Sequence, residues 1–507
     1  MPLATPPREV AVIDIGSNSV RMVLYRLEGR AVWTVLNEKV LAGLGRDLAV
    51  TGKLSPDGAV MALTALRRFA AVLDGVRPQA LFVAATAAVR DARDGEVFRA
   101  RITAETGLQV RVLSGEDEAR YAALGVLAGA PSAHGVVADM GGASLELIQI
   151  ADGAVGHGVT LPLGPFSLAT KKGFDPDRVQ AIADKALSAV AKVYRAETLH
   201  AVGGAWRSLA QVRMAQSDYP LRIVHQFAMS AGEARDLARL IARSSPGALD
   251  KIPGLSKKRA ETLPHAAVVL DRLIERLGLK RVEFSAWGVR EGLLFEGLEP
   301  EIAAVDPLLA GSAALGLRQG VSPSLPAALD DWIASILAAL PPAFGPERDA
   351  VLSRAACNLA DLGARLHPDH RVNLVFDQVL RAPVAGQTHP ERAFLASALN
   401  ARYGGGAATP EPQTVGRLLN ETAATRARAL GLAMRLGCDL SGRSAQLLAS
   451  AKAVVADGAL HLSAAEGYAD LLLGDQTRRR ARALADAMGL KLDIDREAVQ
   501  SGARNRG

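Results

Sequence analysis

The chain contains 507 residues, of which 49% are hydrophobic, 22% charged and only 4% aromatic. Such a chain is too apolar to be intrinsically disordered and too long for one hydrophobic core, so three or four globular domains are expected. The formal net charge of +6 favours a polyanionic partner. Nucleic acid is not expected as that partner, because no DNA- or RNA-binding motif accompanies the charge and few aromatic residues are available to stack on bases.

No stretch of the sequence predicts a secretion signal or a membrane span. Residues 1–9 lack the apolar core of a signal peptide, and the longest uncharged run, Tyr121 to Ala138, is interrupted by Gly, Pro, Ser and His. The two cysteines, Cys357 and Cys438, are too far apart in sequence to suggest a metal-binding spacing or a disulfide framework. We therefore expect a soluble protein of the reducing cytoplasm that has no membrane partner.

Two stretches carry the same motif at a constant offset of 125 positions, residues 10–19 and 135–144. Each has an apolar run of strand length, then Asp-x-Gly with small residues, then a second apolar run, which predicts a β-hairpin. Glycine and serine in such a turn allow backbone N–H groups to approach an anion. A single Asp-x-Gly is usually ordinary turn chemistry. Two matched copies instead favour a pair of phosphate-binding hairpins that face each other across a cleft.

The charged residues of the two hairpins predict that the two turns bind different ligands. Asp14 and Asp139 place one carboxylate in each turn, which indicates a metal ion between the protein and phosphate. The same offset pairs Arg21 with Glu146, so the turns are alike in shape and opposite in charge. We expect the first turn to bind phosphate and the second to hold a cation or a water molecule.

Two further motifs in the first 128 residues follow strand-like runs. Thr86 and Arg90 predict an anion site at a helix N-terminus, unless Thr86 only caps the helix and Arg90 is exposed to solvent. Glu116, Asp117 and Glu118 follow the next run. Acids in the first turn of a helix usually only complement the helix dipole, but at a strand end in a phosphate-binding domain they nominate a base that activates water.

Residues 129–305 repeat the pattern of strands and helices, so duplicated α/β halves are predicted. Trp206 follows the turn Gly203-Gly204, where it either stacks on a nucleotide base or packs into the protein and fills that pocket; the packed tryptophan is favoured. Lys257, Lys258 and Arg259 predict a solvated helix face or a track for an extended polyanion.

Taken together, the motifs of residues 10–300 resemble the exopolyphosphatase and guanosine pentaphosphate phosphohydrolase (Ppx/GppA) family of the actin-like superfamily. The segments that carry the resemblance are Asp14–Ser19, Ala85–Arg90, Ser114–Arg120, Asp139–Glu146, Leu161–Gly164 and Trp287–Gly292. The resemblance implies two duplicated actin-like (ribonuclease H-like) α/β domains that face a cleft, followed by a mainly helical HD-like domain and a small α+β domain. We place these domains at residues 1–128, 129–305, 306–440 and 441–507.

The resemblance also implies roles for individual residues. Glu118 is the implied general base, Asp139 and Glu146 are implied to orient Mg²⁺ (or Mn²⁺) and the attacking water, and Asp14 completes the implied metal set. The implied phosphate-binding residues are Ser17, Asn18, Ser19, Arg21, Thr86, Arg90, Gly141, Gly142, Ala143, Ser144 and Arg290. The second turn departs from the usual Gly-Gly-Gly-Ser-Thr-Glu of the family. Ala143 keeps a backbone donor if its φ is negative, whereas Leu145 lacks a hydroxyl group.

The C-terminal half is predicted to be mainly helical. Helical patterns cover Leu308–Leu317, Ala328–Leu340, Glu347–Leu366, His389–Tyr403 and Val415–Leu436. The HD-type metal site is expected to be lost, because Ala360-Asp361 stands where His-Asp is needed. The last domain has a turn at Asp457-Gly458 and a basic helix with Arg478, Arg479, Arg480 and Arg482, which predicts a solvated face or an extension of a phosphate path.

These expectations lead to one preferred function and several alternatives. The preferred function is an exopolyphosphatase that releases terminal orthophosphate from inorganic polyphosphate. A guanosine pentaphosphate 5′-phosphohydrolase, also able to bind guanosine tetraphosphate, is the alternative enzyme. A catalytically weak regulator that binds polyphosphate or alarmone is the non-enzymatic alternative, and a kinase is disfavoured because no sugar site is recognisable. A homodimer is expected by analogy with the family.

Overall fold

The computed structural model describes residues 6–170, 173–249, 257–320, 322–406 and 408–494. They divide into two compact units, Met1–Pro307 and Leu308–Gly507, so the chain separates where the α/β pattern of the sequence gives way to a helical one. Among the described residues, no helix is both long and apolar enough to cross a lipid bilayer.

The first unit is a mixed α/β structure. Its strands are β1 Arg8–Ile15, β2 Val20–Glu28, β3 Ala31–Val40, β4 Ala80–Ala85, β5 Arg111–Val112, β6 Gly135–Met140, β7 Leu145–Ala151, β8 Ala154–Leu161, β9 Thr198–Gly203, β10 Phe227–Ser230 and β11 Arg281–Phe284. Its helices are α1 Leu48–Thr51, α2 Pro56–Val76, α3 Ala87–Asp91, α4 Gly95–Thr106, α5 Gly115–Gly129, α6 Pro165–Leu168, α7 Pro176–Ser188, α8 Gly204–Gln216, α9 Ala231–Arg243, α10 Pro246–Leu249, α11 Lys257–Ala260, α12 Leu263–Leu277, α13 Val289–Glu296 and α14 Pro300–Ala303.

The two sheets of this unit share one topology. The first has the strand order β3-β2-β1-β4-β5, and the second has β10-β11-β9-β6-β7-β8. In each sheet a three-stranded antiparallel meander continues into a parallel strand on the far side of its first strand. The second sheet therefore repeats the first and adds an edge strand, which confirms the predicted duplicated actin-like fold.

The two predicted hairpins also match residue by residue. Asp14 pairs with Arg21 across β1 and β2, and Asp139 pairs with Glu146 across β6 and β7. The first turn closes with a hydrogen bond from Gly16 N to the Ser19 carbonyl at 3.0 Å. The second turn closes with the equivalent bond, from Gly141 N to the Ser144 carbonyl, also at 3.0 Å.

Helices α5 and α13 connect the two halves of the unit, because each packs on the sheet of the other half. Helix α5 follows the first sheet in sequence, yet its apolar face packs on the second sheet; α13 follows the second sheet and packs on the first. The two helices touch through glycines, because a Cβ on Gly292 would lie 1.9 Å from the Tyr121 carbonyl oxygen and one on Gly125 would lie 2.1 Å from the Gly288 carbonyl oxygen. This crossing places Glu118 and Arg290 between the two sheets.

The second unit is mainly helical and ends in a small sheet. Its elements are α15 Pro307–Leu317, α16 Leu325–Leu337, α17 Pro346–Asn358, α18 Arg371–Arg381, α19 His389–Arg402, α20 Pro412–Leu418, α21 Glu421–Ser441, α22 Ala445–Leu448, β12 Ala451–Ala456, β13 Ala459–Ala464, α23 Ala469–Leu472, α24 Asp475–Met488 and β14 Lys491–Ile494. The strands form one sheet in the order β12-β13-β14.

Several sequence predictions for this unit needed correction. The expected helix over Val415–Leu436 is two helices, because Asn420 caps the second one by accepting a hydrogen bond from Ala423 N at 2.8 Å. The helix expected over Glu347–Leu366 was predicted too long, since α17 ends at Asn358 and turns follow it. Helix α18 was not predicted. The turn at Asp457-Gly458 is confirmed: both residues have positive φ, 49° and 72°, as a tight hairpin requires. The HD-like character of the helical part stays a prediction.

Candidate active site

A cavity of about 170 Å³ lies between the two hairpin turns of the first unit, and it is called the main cavity because most of the predicted site residues line it. Its walls come from both halves of the unit. The predicted site residues that line it are Asp14, Ser17, Asn18, Ser19, Arg21, Thr86, Glu118, Asp139, Gly141, Gly142, Ser144, Glu146 and Arg290. The structure thus brings together residues that are up to 276 positions apart in sequence, such as Asp14 and Arg290.

The two turns face each other at very short range. A Cβ on Gly142 would lie 2.9 Å from the Ser17 Cβ of the other hairpin and 3.2 Å from the Phe166 ring, so only glycine fits there. The φ angles of Gly141, Gly142 and Ala143 are not positive, so alanine at the third of these positions causes no backbone strain. Ala143 itself lies outside the main cavity, and its carbonyl accepts hydrogen bonds from Gly164 N and from the Ser167 hydroxyl.

Glu118, Asp139 and Glu146, the carboxylate cluster, meet at one part of the cavity. Glu118 and Glu146 are 7% and 2% exposed. Burial raises the pKa of Glu118 to about 8, with the charges of Asp139 and Asp14 acting in the same direction. Burial also raises the pKa of Asp139 to about 6, and burial together with the neighbouring Glu118 and Asp139 raises the pKa of Glu146 well above its ordinary value. Such shifts are typical of functional sites.

Arg90 lies behind this cluster and does not line the main cavity. Its guanidinium forms an ion pair with the Glu118 carboxylate and donates to the Leu113 carbonyl at 3.0 Å and to Asp91 at 3.0 Å. Arg90 opposes the effect of burial on the Glu118 pKa. The arrangement gives Arg90 the position of a residue that orients Glu118, so direct phosphate contact by Arg90 stays a prediction.

A cation cluster occupies another part of the same cavity, and the sequence motifs identified only part of it. Its members are Arg21, Lys39, Arg207, Arg259 and Arg290. Arg290 donates to Asp14 at 3.0 Å, and Lys39 is the direct cross-strand neighbour of Arg21. Like charges directly opposite each other destabilise a sheet. Burial, and then the charges of four arginines, lower the pKa of Lys39 to about 7.

Lys39 and Arg207 were not predicted as site residues. The only sequence signal for Arg207 is its place in the first turn of the helix that follows Gly203-Gly204, and Lys39 reaches the cavity through sheet pairing alone. Arg259 was predicted as part of a solvated face or a polyanion track. Its side chain donates to the Gly204 carbonyl and to the Ser208 hydroxyl, 2.7 Å away, and so covers the glycine turn.

Trp206 is fully buried, and its indole N–H donates to the Ala266 carbonyl at 3.2 Å. The prediction of a packed tryptophan is confirmed, and this side chain has no face free to stack on a base. Arg259 lies over the Gly203-Gly204 turn, and both line the main cavity.

The carboxylate cluster suits a divalent cation that is shared with a phosphate ligand. Among the described residues, no three His, Cys, Asp or Glu side chains are close enough to enclose a metal ion on their own. Mg²⁺ does not need such a cage, because it commonly keeps several waters and binds one or two carboxylates plus substrate phosphates. Glu146 Oε1 is buried without a hydrogen-bond partner among the described residues, so this atom is available to a bound cation or to a water molecule.

Comparison with known proteins identifies the family of this chain. A family model described as the Ppx/GppA phosphatase family matches residues 22–301, more than half of the chain. A second model, described as exopolyphosphatase, C-terminal, matches residues 308–494. The chain belongs to the Ppx/GppA phosphatase family. This membership places it in the actin-like superfamily and among the hydrolases of phosphoanhydride bonds.

Individual relatives agree with this assignment. Exopolyphosphatase 1 of Mycobacterium tuberculosis is 27% identical over 307 residues, which cover 58% of this chain and 89% of the relative. Retrograde regulation protein 2 of Saccharomyces cerevisiae is 26% identical over 437 residues, covering 78% and 72%. The crystal structure of the Aquifex aeolicus family member aligns with a TM-score of 0.51 at 27% identity over 57% of this chain and 97% of that chain.

Proposed function

We propose that this protein is an exopolyphosphatase that releases terminal orthophosphate from inorganic polyphosphate by divalent-cation-dependent attack of water. The observation that carries the proposal is the single cavity in which two phosphate-binding turns, a carboxylate cluster and a cation cluster meet. Phosphoryl transfer requires positioning and charge neutralisation more than covalent chemistry, and the cavity is equipped for both.

Each group of residues has one task in this reaction. The backbone N–H groups of the two turns and the cation cluster bind the terminal phosphates and offset their negative charge. Glu118, once ionised, accepts a proton from the attacking water, and Arg90 holds its carboxylate in place. Asp139 and Glu146, with Asp14 at the edge of the set, would hold Mg²⁺ or Mn²⁺. The bound cation would neutralise phosphate charge and favour the ionised carboxylates.

Inorganic polyphosphate is the preferred substrate over guanosine pentaphosphate. Trp206 is fully buried and so cannot stack on a guanine base, and the Arg259 side chain offers a cation beside the glycine turn instead. A linear polyanion instead gains a further contact from each cation it passes. The likeness to a protein named exopolyphosphatase 1 supports the same choice.

Measurement of the orthophosphate that the purified protein releases tests the proposal directly. The protein is supplied with Mg²⁺ and either long-chain polyphosphate or guanosine pentaphosphate at matched phosphate concentration. We expect faster turnover of polyphosphate, and a loss of about 10²- to 10⁴-fold in the Glu118→Gln variant with substrate binding largely retained. Faster release from guanosine pentaphosphate would reverse the assignment, and shortening of polyphosphate that requires ADP or another acceptor and phosphorylates that acceptor would indicate a kinase.

A polyphosphate-binding regulator is the second candidate. The likeness to retrograde regulation protein 2 over 78% of this chain favours it. The presence of Glu118, Asp139 and Glu146 in one cavity argues against it, because a binding protein gains nothing from keeping buried carboxylates next to bound phosphate. Tight binding of polyphosphate without release of orthophosphate, at any divalent cation concentration, would support the regulator.

A further inference from the structure

A second cavity, of about 200 Å³, adjoins the main cavity behind the Gly141–Ser144 turn. Ser144 and Phe166 line both cavities, so the two cavities share part of their walls. The second cavity is also lined by the polar side chains of Asp91, Thr160 and Ser167. A space of this size has room for several water molecules, each of which occupies about 30 Å³ in the liquid.

Thr160 is the residue of this cavity that is placed to act on the reaction. It is the direct cross-strand partner of Glu146, so the two side chains lie on the same face of the sheet. Its hydroxyl lies against the start of the helix that carries Glu118, because a Cβ on Gly115 would be only 2.0 Å from Thr160 Oγ1. Thr160 therefore lies beside Glu146 and against the first turn of the helix that carries Glu118.

The polar atoms of this pair lack partners within the protein. Thr160 Oγ1 and Glu146 Oε1 are both buried, and neither makes a hydrogen bond to a described residue. A buried polar group without a partner costs about 1–3 kcal/mol, so two of them on neighbouring residues are unusual in a native site. A water molecule bound between them would satisfy both, and the second cavity, which Thr160 lines, gives water access to this place.

We propose that Thr160 is a positioning residue that, with Glu146, holds the attacking water, and that the second cavity is the route by which this water is replaced. The proposal rests on the exopolyphosphatase function proposed above. In each turnover the water oxygen bonds to the terminal phosphorus, its proton passes to the Glu118 carboxylate, and the bridging oxygen leaves with the shortened chain. A separate route is useful because the polyphosphate chain fills the main cavity.

Matched substitutions of Thr160 separate a hydrogen-bonding role from a packing role. Thr160→Val keeps the shape of the side chain and removes the hydroxyl, whereas Thr160→Ser keeps the hydroxyl. At saturating polyphosphate, we expect kcat of Thr160→Val to fall about 10- to 100-fold, the kinetic equivalent of one buried hydrogen bond, with KM within about twofold. Thr160→Ser should stay within about threefold of the natural protein. Equal losses in both variants, or an unchanged kcat in Thr160→Val, would overturn the proposal.

A crystal structure tests the same proposal without relying on activity. We expect an ordered water within hydrogen-bond distance of both Thr160 Oγ1 and Glu146 Oε1 in the natural protein and its absence from Thr160→Val. A well-ordered site without that water would refute the positioning role even in an active enzyme. If the natural protein releases no phosphate from polyphosphate but holds the water, the proposed function fails while the water site stands.

Discussion

Replacing Asp139 by asparagine should stabilise the first unit while removing activity. Burial raises the pKa of Asp139 from 3.8 to about 6 in the folded protein. A shift of about 2 pH units corresponds to about 3 kcal/mol, which the folded state loses relative to the unfolded state when the carboxylate ionises. Asparagine has nearly the same shape and cannot ionise, so the variant avoids this cost.

The sign of the effect fixes its dependence on pH. Because the folded-state pKa is raised, the carboxyl group does not oppose folding below about pH 4, and its cost grows as the pH rises through about 6. The variant and the natural protein should therefore unfold at similar temperatures at pH 4. Above pH 6 the variant should unfold about 6–12 °C higher, given about 2–4 °C per kcal/mol for domains of about 150–250 residues.

Thermal unfolding, followed at several pH values without divalent cation or polyphosphate, measures this difference. Asp236→Asn is the matched control, since Asp236 is an exposed carboxylate on α9 and its replacement should change nothing. Added Mg²⁺ should narrow the gap, because it would stabilise only the protein that keeps the carboxylate. A variant that is less stable at pH 8, or a difference that does not change with pH, would refute the claim that Asp139 is held at an energetic cost.

Three further predictions follow from the same cavity. Since the pKa of Glu118 is raised to about 8 and the base must be ionised, kcat/KM should rise with pH through about 8 at low Mg²⁺. At high Mg²⁺ the same rise should occur at lower pH. A midpoint that does not change with Mg²⁺ would contradict the role of Glu118 as the base. Lys39→Met should raise KM for long polyphosphate about tenfold with little change in kcat, and a variant with reduced kcat alone would show that Lys39 acts elsewhere. Gly142→Ala should abolish most phosphate release, because its Cβ would lie 2.9 Å from that of Ser17, whereas Gly75→Ala, with open space around it on α2, should be active and slightly more stable.

The hairpins could be predicted from the sequence because each is specified by neighbouring residues and because the motif occurs twice. The constant offset aligned Asp14 with Asp139 and Arg21 with Glu146, and the structure pairs each of these residues across its own hairpin in the same register. Two strands joined by a short turn bring their own side chains together, so neighbouring residues alone specify the geometry. Trp206 was predictable for a similar reason, since a large apolar side chain is usually buried.

The site residues that were not predicted from the sequence reach the cavity through contacts between elements, which a local sequence pattern does not show. Lys39 reaches the cavity because β3 pairs with β2, and Arg207 reaches it because α8 begins at the end of β9. Arg90 has an anion-site motif around it, but in the fold its guanidinium pairs with Glu118, which lies 28 positions further along the chain. A basic residue in a motif therefore indicates a site more reliably than it indicates which partner the residue takes.

The charges of the cavity also explain why its two halves are joined so closely. Within the carboxylate cluster, Glu118 and Asp139 raise the pKa of Glu146, and within the cation cluster the arginines lower the pKa of Lys39, so each cluster is unfavourable by itself. Such repulsion tends to open a cleft unless rigid contacts oppose it. The crossing of α5 and α13 at Gly292 provides such contacts at the base of the cavity. A polyphosphate tail with its divalent cation would neutralise both clusters at once, so the charges that oppose folding would be the ones that bind the proposed substrate.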